Sequence, residues 1–277
     1  MVPATAPARA AGIAEGRAPY TSPRDHGDAA DPARRTRTPA RRGGVQVNAP
    51  PFGRDDGPVL VVAAHPDDET LGAGGTIARL TRAGTAVSLL VLAGRTTSRC
   101  GAADGGVGHT PEHLQRAAER LGVSDVEAHS FPDNRLDTVA SLEVARVIEQ
   151  TMTRVRPTVV ITHHGGDANV DHRVAHRAAV VATRPQPGHP VHTVLAFETP
   201  SSTEWAFDPT RTFDPQVFVD ITETLETKLE ALACYRDELR PAPHPRSIEA
   251  CRALARWRGS TVGVTAAEAF RLVRHVV

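Results

Sequence analysis

Cysteine is scarce: Cys100, Cys234 and Cys251 are the only three in 277 residues, and none belongs to a CxxC pair. An odd, unpaired set gives no disulfide framework, so the thiols are read as reduced and the chain as cytoplasmic. Net charge is missing too. Lys plus Arg number 32 and Asp plus Glu number 32, which leaves no basic footprint for nucleic acid. Any charge-based recognition must therefore come from a local site. No apolar run approaches the roughly 20 residues that span a bilayer, and the N-terminal stretch has no apolar core of a secretory signal. There is no internal repeat, and the pattern fixes no oligomeric state. Residues 1–55 lack large aliphatic side chains and are rich in Ala, Pro, Arg and Gly. Such a segment buries too little surface to offset chain entropy. A disordered extension is expected there, followed by one domain over residues 56–277.

What the rest of the sequence does contain is an alternation of two periods. "VLVVAAH", "AVSLLVLAG", "VEAHSF", "TVVITH", "HTVLAFE" and "VFVDI" read as strands, the first continuous enough to be buried on both faces of a parallel sheet. Between them "GGTIARLTRAG", "TPEHLQRAAERLG", "SLEVARVIEQTMTRVRP" and "DHRVAHRAAVVATRP" read as helices, and "TLETKLEALACYRDEL" and "HPRSIEACRALARWRG" add two more. Gly84, Gly122, Pro157 and Pro185 close them, and Thr110 with Pro111 opens the second. The pattern predicts an α/β fold: a Rossmann-like three-layer α/β/α domain with a mainly parallel sheet.

Polar residues collect where the strands end. The first strand delivers His65, Asp67, Asp68 and Glu69; the second Arg95, Ser98 and Arg99; the third Asp133, Asn134, Arg135 and Asp137; the fourth His163, His164, Asp167, Asn169, Asp171 and His172. Sites in open α/β sheets lie beyond the carboxyl ends of the strands. A strand-to-helix turn stiffened by Pro66 can aim His65 and Asp68 at one point. Imidazole with carboxylate suits Zn²⁺ or Fe²⁺, and His172 would complete a set with open positions. Asp67 is then placed to take a proton from an activated water. The blander readings are that Asp67 or Asp68 caps the following helix, and that His176 is a packing or surface histidine, not a second ligand beside His172. Gly72, Gly74 and Gly75 resemble a dinucleotide loop, but they follow the polar cluster instead of the strand, so close backbone packing is their expected role.

The stretch "AAHPDDETLGAGGTIARL", with "PDNRLD" and "GDANVDHRVAHRAAVVATRP", resembles the motifs of the PIG-L/LmbE-like deacetylases. "HPRSIEACRALARWRGSTVGVTAAEAF" is similar to the C-terminal region of one bacterial subgroup, so the resemblance runs from about Pro58 to Arg274. It implies a zinc-dependent N-deacetylase, with Fe²⁺ as the other metal candidate, acting on a small amino-sugar conjugate of the N-acetylglucosamine type. It implies His65, Asp68 and His172 as ligands and Asp67 as general base. Where several family members carry "HPDH" this chain has "NVDH", so Asn169 stands at the position of a catalytic histidine. An amide donates to an oxyanion but cannot act as a general acid. Three arrangements are compatible with this: Asn169 keeps the oxyanion role while Asp67 is both base and acid; His164 or His163 supplies the missing imidazole; or the chain is impaired. Arg99, Asn134, Arg135 and Arg246 are the candidates for holding the polar substrate. The competing functions are an amidase for a non-sugar acyl amide and a non-catalytic module that binds a sugar or nucleotide.

Overall fold

The computed structural model describes residues 57–93 and 111–277. The expected extension over 1–55, the Thr110 cap, and the segment with Arg95, Ser98, Arg99 and Cys100 lie outside the described residues. Among those described, the order is β1 (Val59–Ala63), α1 (Asp68–Arg82), β2 (Val87–Val91), α2 (Pro111–Leu121), β3 (Asp125–Ala128), α3 (Ser141–Val155), β4 (Val159–His163), α4 (Val170–Ala182), β5 (Thr193–Phe197), β6 (Val217–Asp220), α5 (Leu225–Leu232), α6 (Ile248–Ser260) and β7 (Ala267–His275).

The strands form one seven-stranded sheet in the order β3-β2-β1-β4-β5-β7-β6. The five strands from β3 to β5 are parallel, and β7 runs antiparallel to both β5 and β6. Period-two alternation sends each strand's side chains to two cores. From β1, Val59 and Val61 join the core under α1, α2, α5 and α6. Leu60 and Val62 join the other, under α3 and α4. The result is the expected three-layer α/β/α fold. Its strand order reverses between β1 and β4, the switch point at which such sheets bind ligands.

Four elements differ from the sequence expectation. Helix α1 begins at Asp68, not near Gly74, so Asp68 and Glu69 occupy its first turn, where the helix dipole favours acidic groups. Helix α5 ends at Leu232 because the chain tightens: Cys234 and Tyr235 N–H groups turn back to Ala231 and Leu232 carbonyls, and Tyr235 is drawn fully inside. Helix α6 starts at Ile248, where the Ser247 hydroxyl accepts the Ala250 N–H and caps it. Strand β7 has no counterpart among the strands expected from the sequence. "AEAF" carries a glutamate among alanines, and Glu268 is buried there because α1 and Lys228 satisfy it: it accepts the Gly75 and Thr76 N–H groups at 2.9 and 2.7 Å, and Lys228 Nζ at 2.6 Å.

Candidate functional site

The turn after β1 and the start of α4 meet beyond the switch point. They bring His65, Asp68 and His172 together, all buried, with one potential ligand atom from each within 4.8 Å of the others. Asp68 is the hub. Its Oδ2 accepts the His65 N–H at 2.9 Å and lies 3.2 Å from His65 Nδ1 and 3.3 Å from His172 Nε2. Its Oδ1 is buried with no hydrogen-bond partner, and neither ring nitrogen of His172 has a properly aligned one. Unsatisfied buried groups of this kind call for a ligand.

Each imidazole has a carboxylate behind it. His65 Nε2 lies 2.9 Å from Asp171 Oδ2 and 3.1 Å from Asp133 Oδ1. Asp171 is itself fixed by the N–H groups of Asn134 and Leu136 at 2.6 and 2.9 Å. His172 Nδ1 lies 3.1 Å from Asp167 Oδ1, and the hydroxyls of Ser202 and Thr203 donate to Asp167. Carboxylate–imidazole pairs of this type set the tautomer and direct the other ring nitrogen outward as a ligand. Four carboxylates thus surround two imidazoles in a buried space, and the charges respond. Burial alone would lower the affinity of His172 for a proton, but Asp68 and Asp167 outweigh it and push its pKa up to about 9. Burial likewise opposes ionisation of Asp68, yet the charge of His172 holds it well below the usual carboxylate range. Burial also opposes ionisation of Asp167, but the nearby His172 ring and the Ser202 and Thr203 hydroxyls outweigh it and bring its pKa to about 2. The pocket is electrostatically prepared for a cation, and its donor set of two nitrogens and a carboxylate fits zinc or iron(II).

Asp67 stands just before α1 with φ 103°, a left-handed conformation unusual for a non-glycine residue. Such a conformation costs about 1–3 kcal/mol and persists only when its surroundings impose it. Its side chain does not cap the helix, so the bland capping role does not apply to it. Glu69 supplies one restraint: its Oε2 accepts the Asp67 N–H at 3.1 Å. Glu69 is held in turn by the hydroxyls of Tyr235 and Thr70 at 2.7 and 2.6 Å. Arg246 supplies another, from Nη1 to Asp67 Oδ2 at 3.0 Å.

The remaining candidates are dispersed. Asn169 is the N-cap of α4: its Oδ1 accepts the Asp171 N–H at 2.8 Å, and its Nδ2 faces Asn134 Oδ1 at 3.4 Å. With Oδ1 taken by the cap, the NH₂ is the end left to donate, and an amide NH₂ is a donor and not an acid. Asn134 (φ 54°) bridges Asp133 and Asn169, while Arg135 is exposed. His163 is fully buried, and its Nε2 accepts the Ala64 N–H at 2.9 Å. That lone pair is therefore taken and the ring is neutral; burial and the charge of His172 lower its pKa well below the usual value. It stacks on His172 at 4.0 Å. The His164 ring contacts the Arg211 carbonyl at 2.9 Å and the edge of Phe213. His176 bonds the His163 carbonyl through Nδ1 at 2.8 Å. Arg99 lies outside the described residues. Sequence reasoning gave no role to Asp133, Asp167 and Asp171, although they sit at strand ends. It had no signal at all for Ser202, Thr203 and Tyr235.

Residues 60–183 match the family described as "PIG-L: GlcNAc-PI de-N-acetylase". The chain is 31% identical to a diacetylchitobiose deacetylase of Thermococcus kodakarensis over 226 residues, 78% of this chain and 82% of the relative. A conserved protein of Thermus thermophilus has a similar structure, with TM-score 0.62 and 28% identity over 79% of this chain and 95% of that one. So does GalB of Pseudomonas putida KT2440, a 4-carboxy-2-hydroxymuconate hydratase, with TM-score 0.61 and 26% identity over 80% and 98%.

Proposed function

Because the chain belongs to the PIG-L de-N-acetylase family, we propose that it is a metal-dependent hydrolase that removes an N-acetyl group from a small amino-sugar conjugate of the N-acetylglucosamine type. The observation that carries the reading is the buried cluster of His65, Asp68 and His172, with its unsatisfied ligand atoms and its carboxylate-backed imidazoles. These three residues are the ligands of this reading, for zinc first and iron(II) second. A divalent ion held there supplies Lewis acidity for an amide carbonyl and makes water acidic enough to ionise near pH 7.

The chain's own groups do the rest. Asp67 takes a proton from the attacking water as the new C–O bond forms. The Asn169 amide donates to the oxygen that gains charge. Asp67 then returns the proton to the nitrogen as the C–N bond breaks, so acetate and a free amine leave. In this arrangement Asp67 is both base and acid, since Asn169 cannot give up a proton. His65 and His172 are kept in position by Asp171, Asp133 and Asp167. Asn134, and Arg99 from the segment before α2, are assigned to the polar substrate. Among the described residues no helix is long and apolar enough to cross a membrane.

The test is a panel of N-acyl substrates assayed for acyl release by the zinc-loaded protein, with Asp67→Ala as control. The panel holds N-acetyl amino sugars, long-chain N-acyl sugars and non-sugar acetamides. Acetate release from the N-acetyl sugars, abolished in the control, is the expected result. Preference for a non-sugar amide would reassign the substrate, and nucleotide- or sugar-dependent stabilisation without metal or turnover would indicate a binding module.

A further inference from the structure

Arg246 does not come from a strand end. It precedes α6 and reaches Asp67 across 179 positions of sequence. Its guanidinium is engaged on several sides. Nη1 donates to Asp67 Oδ2 at 3.0 Å and to Glu238 Oε2 at 3.4 Å, and Nε donates to Ser201 Oγ at 2.8 Å. The side chain is 21% exposed. Asp67 has no cap bond to aim its carboxylate, and its backbone is in a conformation its own sequence does not favour. Glu69 holds the backbone end of Asp67, and Arg246 holds the carboxylate end.

We infer that Arg246 is the positioning residue of the proton-transferring carboxylate: its fork, anchored on Ser201 and Glu238, fixes where Asp67 Oδ2 points. This replaces the substrate-holding role expected from sequence, and it rests on the proposed function, in which Asp67 moves the proton. A planar guanidinium suits the task, because donors in fixed relative directions bind the carboxylate and the anchor at once; a lysine ammonium carries charge without that geometry. Arginine stays protonated. Arg246 therefore cannot supply the acid missing at Asn169, and the proton must return through Asp67.

The two roles separate in kinetics. Loss of a substrate-holding contact raises KM with kcat unchanged, whereas a misaimed base lowers kcat. The experiment compares zinc-loaded wild type, Arg246→Ala, Arg246→Lys and Ser201→Ala on the N-acyl amino sugar that wild type hydrolyses best, and measures bound metal in each. For Arg246→Ala the expected result is undiminished metal, a fall in kcat on the order of 10²-fold, as for misplacement by about 1 Å, and little change in KM. Guanidinium in solution should restore part of that kcat. Arg246→Lys should keep the defect, and Ser201→Ala should show a smaller one of the same kind. These two variants read the same contact if Arg246→Ala does not fold. A crystal structure of Arg246→Lys or Ser201→Ala should find the Asp67 carboxylate turned from its present direction. A rise in KM at constant kcat, or unchanged kinetics, would overturn the inference while leaving the function intact. A wild type that binds zinc yet hydrolyses no N-acyl substrate would overturn both.

Discussion

Gly72 offers a sharp test of how the fold holds its site. It lies on α1 against the centre of the sheet, where a Cβ would fall 2.1 Å from Phe197 Cδ2, 2.5 Å from Cγ and 2.7 Å from Cε2. Ordinary contact begins near 3.4 Å, so in Gly72→Ala the ring must retreat by more than about 1 Å into an interior packed like a crystal. Phe197 is fully buried on β5. Inserting a methyl into a full core costs roughly 1–3 kcal/mol. Expelling the ring would approach the ~3–5 kcal/mol lost on Phe→Ala. The better helix propensity of alanine returns about 1 kcal/mol. With three ring atoms this close the expulsion figure applies, and the net expectation is a loss of about 2–4 kcal/mol. It should be read as a lower urea midpoint at unchanged slope in circular dichroism. The Phe197 ring also lies 4.6 Å from His163, which stacks on His172, so zinc affinity should weaken in parallel. Adding Phe197→Leu to make room should recover part of the stability. A Gly72→Ala protein within ~0.5 kcal/mol of wild type would refute the close-packing account and revive a looser, ligand-facing glycine loop.

Other outcomes follow from the same geometry. Lys228→Met strands the buried Glu268 carboxylate and should cost about 3–5 kcal/mol in chemical denaturation. The double variant Lys228→Met/Glu268→Gln should recover more than ~1 kcal/mol of that through coupling. Asp171→Asn removes the acceptor that orients His65 and should lower zinc affinity by roughly 10–100-fold in a chelator competition. Tyr235→Phe leaves buried Glu69 one donor short and should destabilise the protein by about 1–3 kcal/mol, with a fall in kcat because Glu69 restrains Asp67.

The parallel half of the sheet was readable because β1, β2 and β4 are mostly apolar, are buried at every position, and each ends in chemistry. The cluster His65, Asp68 and His172 was readable for the same reason, since two adjacent strand ends supply it. What escaped notice depends on partners distant in sequence. Buried Glu268 in β7 has no partner in its own segment; Lys228 and the N–H groups of Gly75 and Thr76 on α1 satisfy it from afar. Tyr235 ends α5 early because Glu69, 166 positions away, accepts its hydroxyl. Arg246 was legible as a cation near the site, but not as the partner of Asp67. Asn169 departs from the family pattern in sequence, and its Oδ1 caps α4, a local task that any N-cap asparagine performs.

The central claim is that His65, Asp68 and His172 hold the metal on which deacetylation depends. The most direct test is the zinc content of protein dialysed against zinc and then against buffer, wild type beside Asp68→Ala. The account predicts about one equivalent in wild type, with its loss in the variant. A wild type that retains no metal, or an Asp68→Ala protein that keeps a full equivalent, would contradict it.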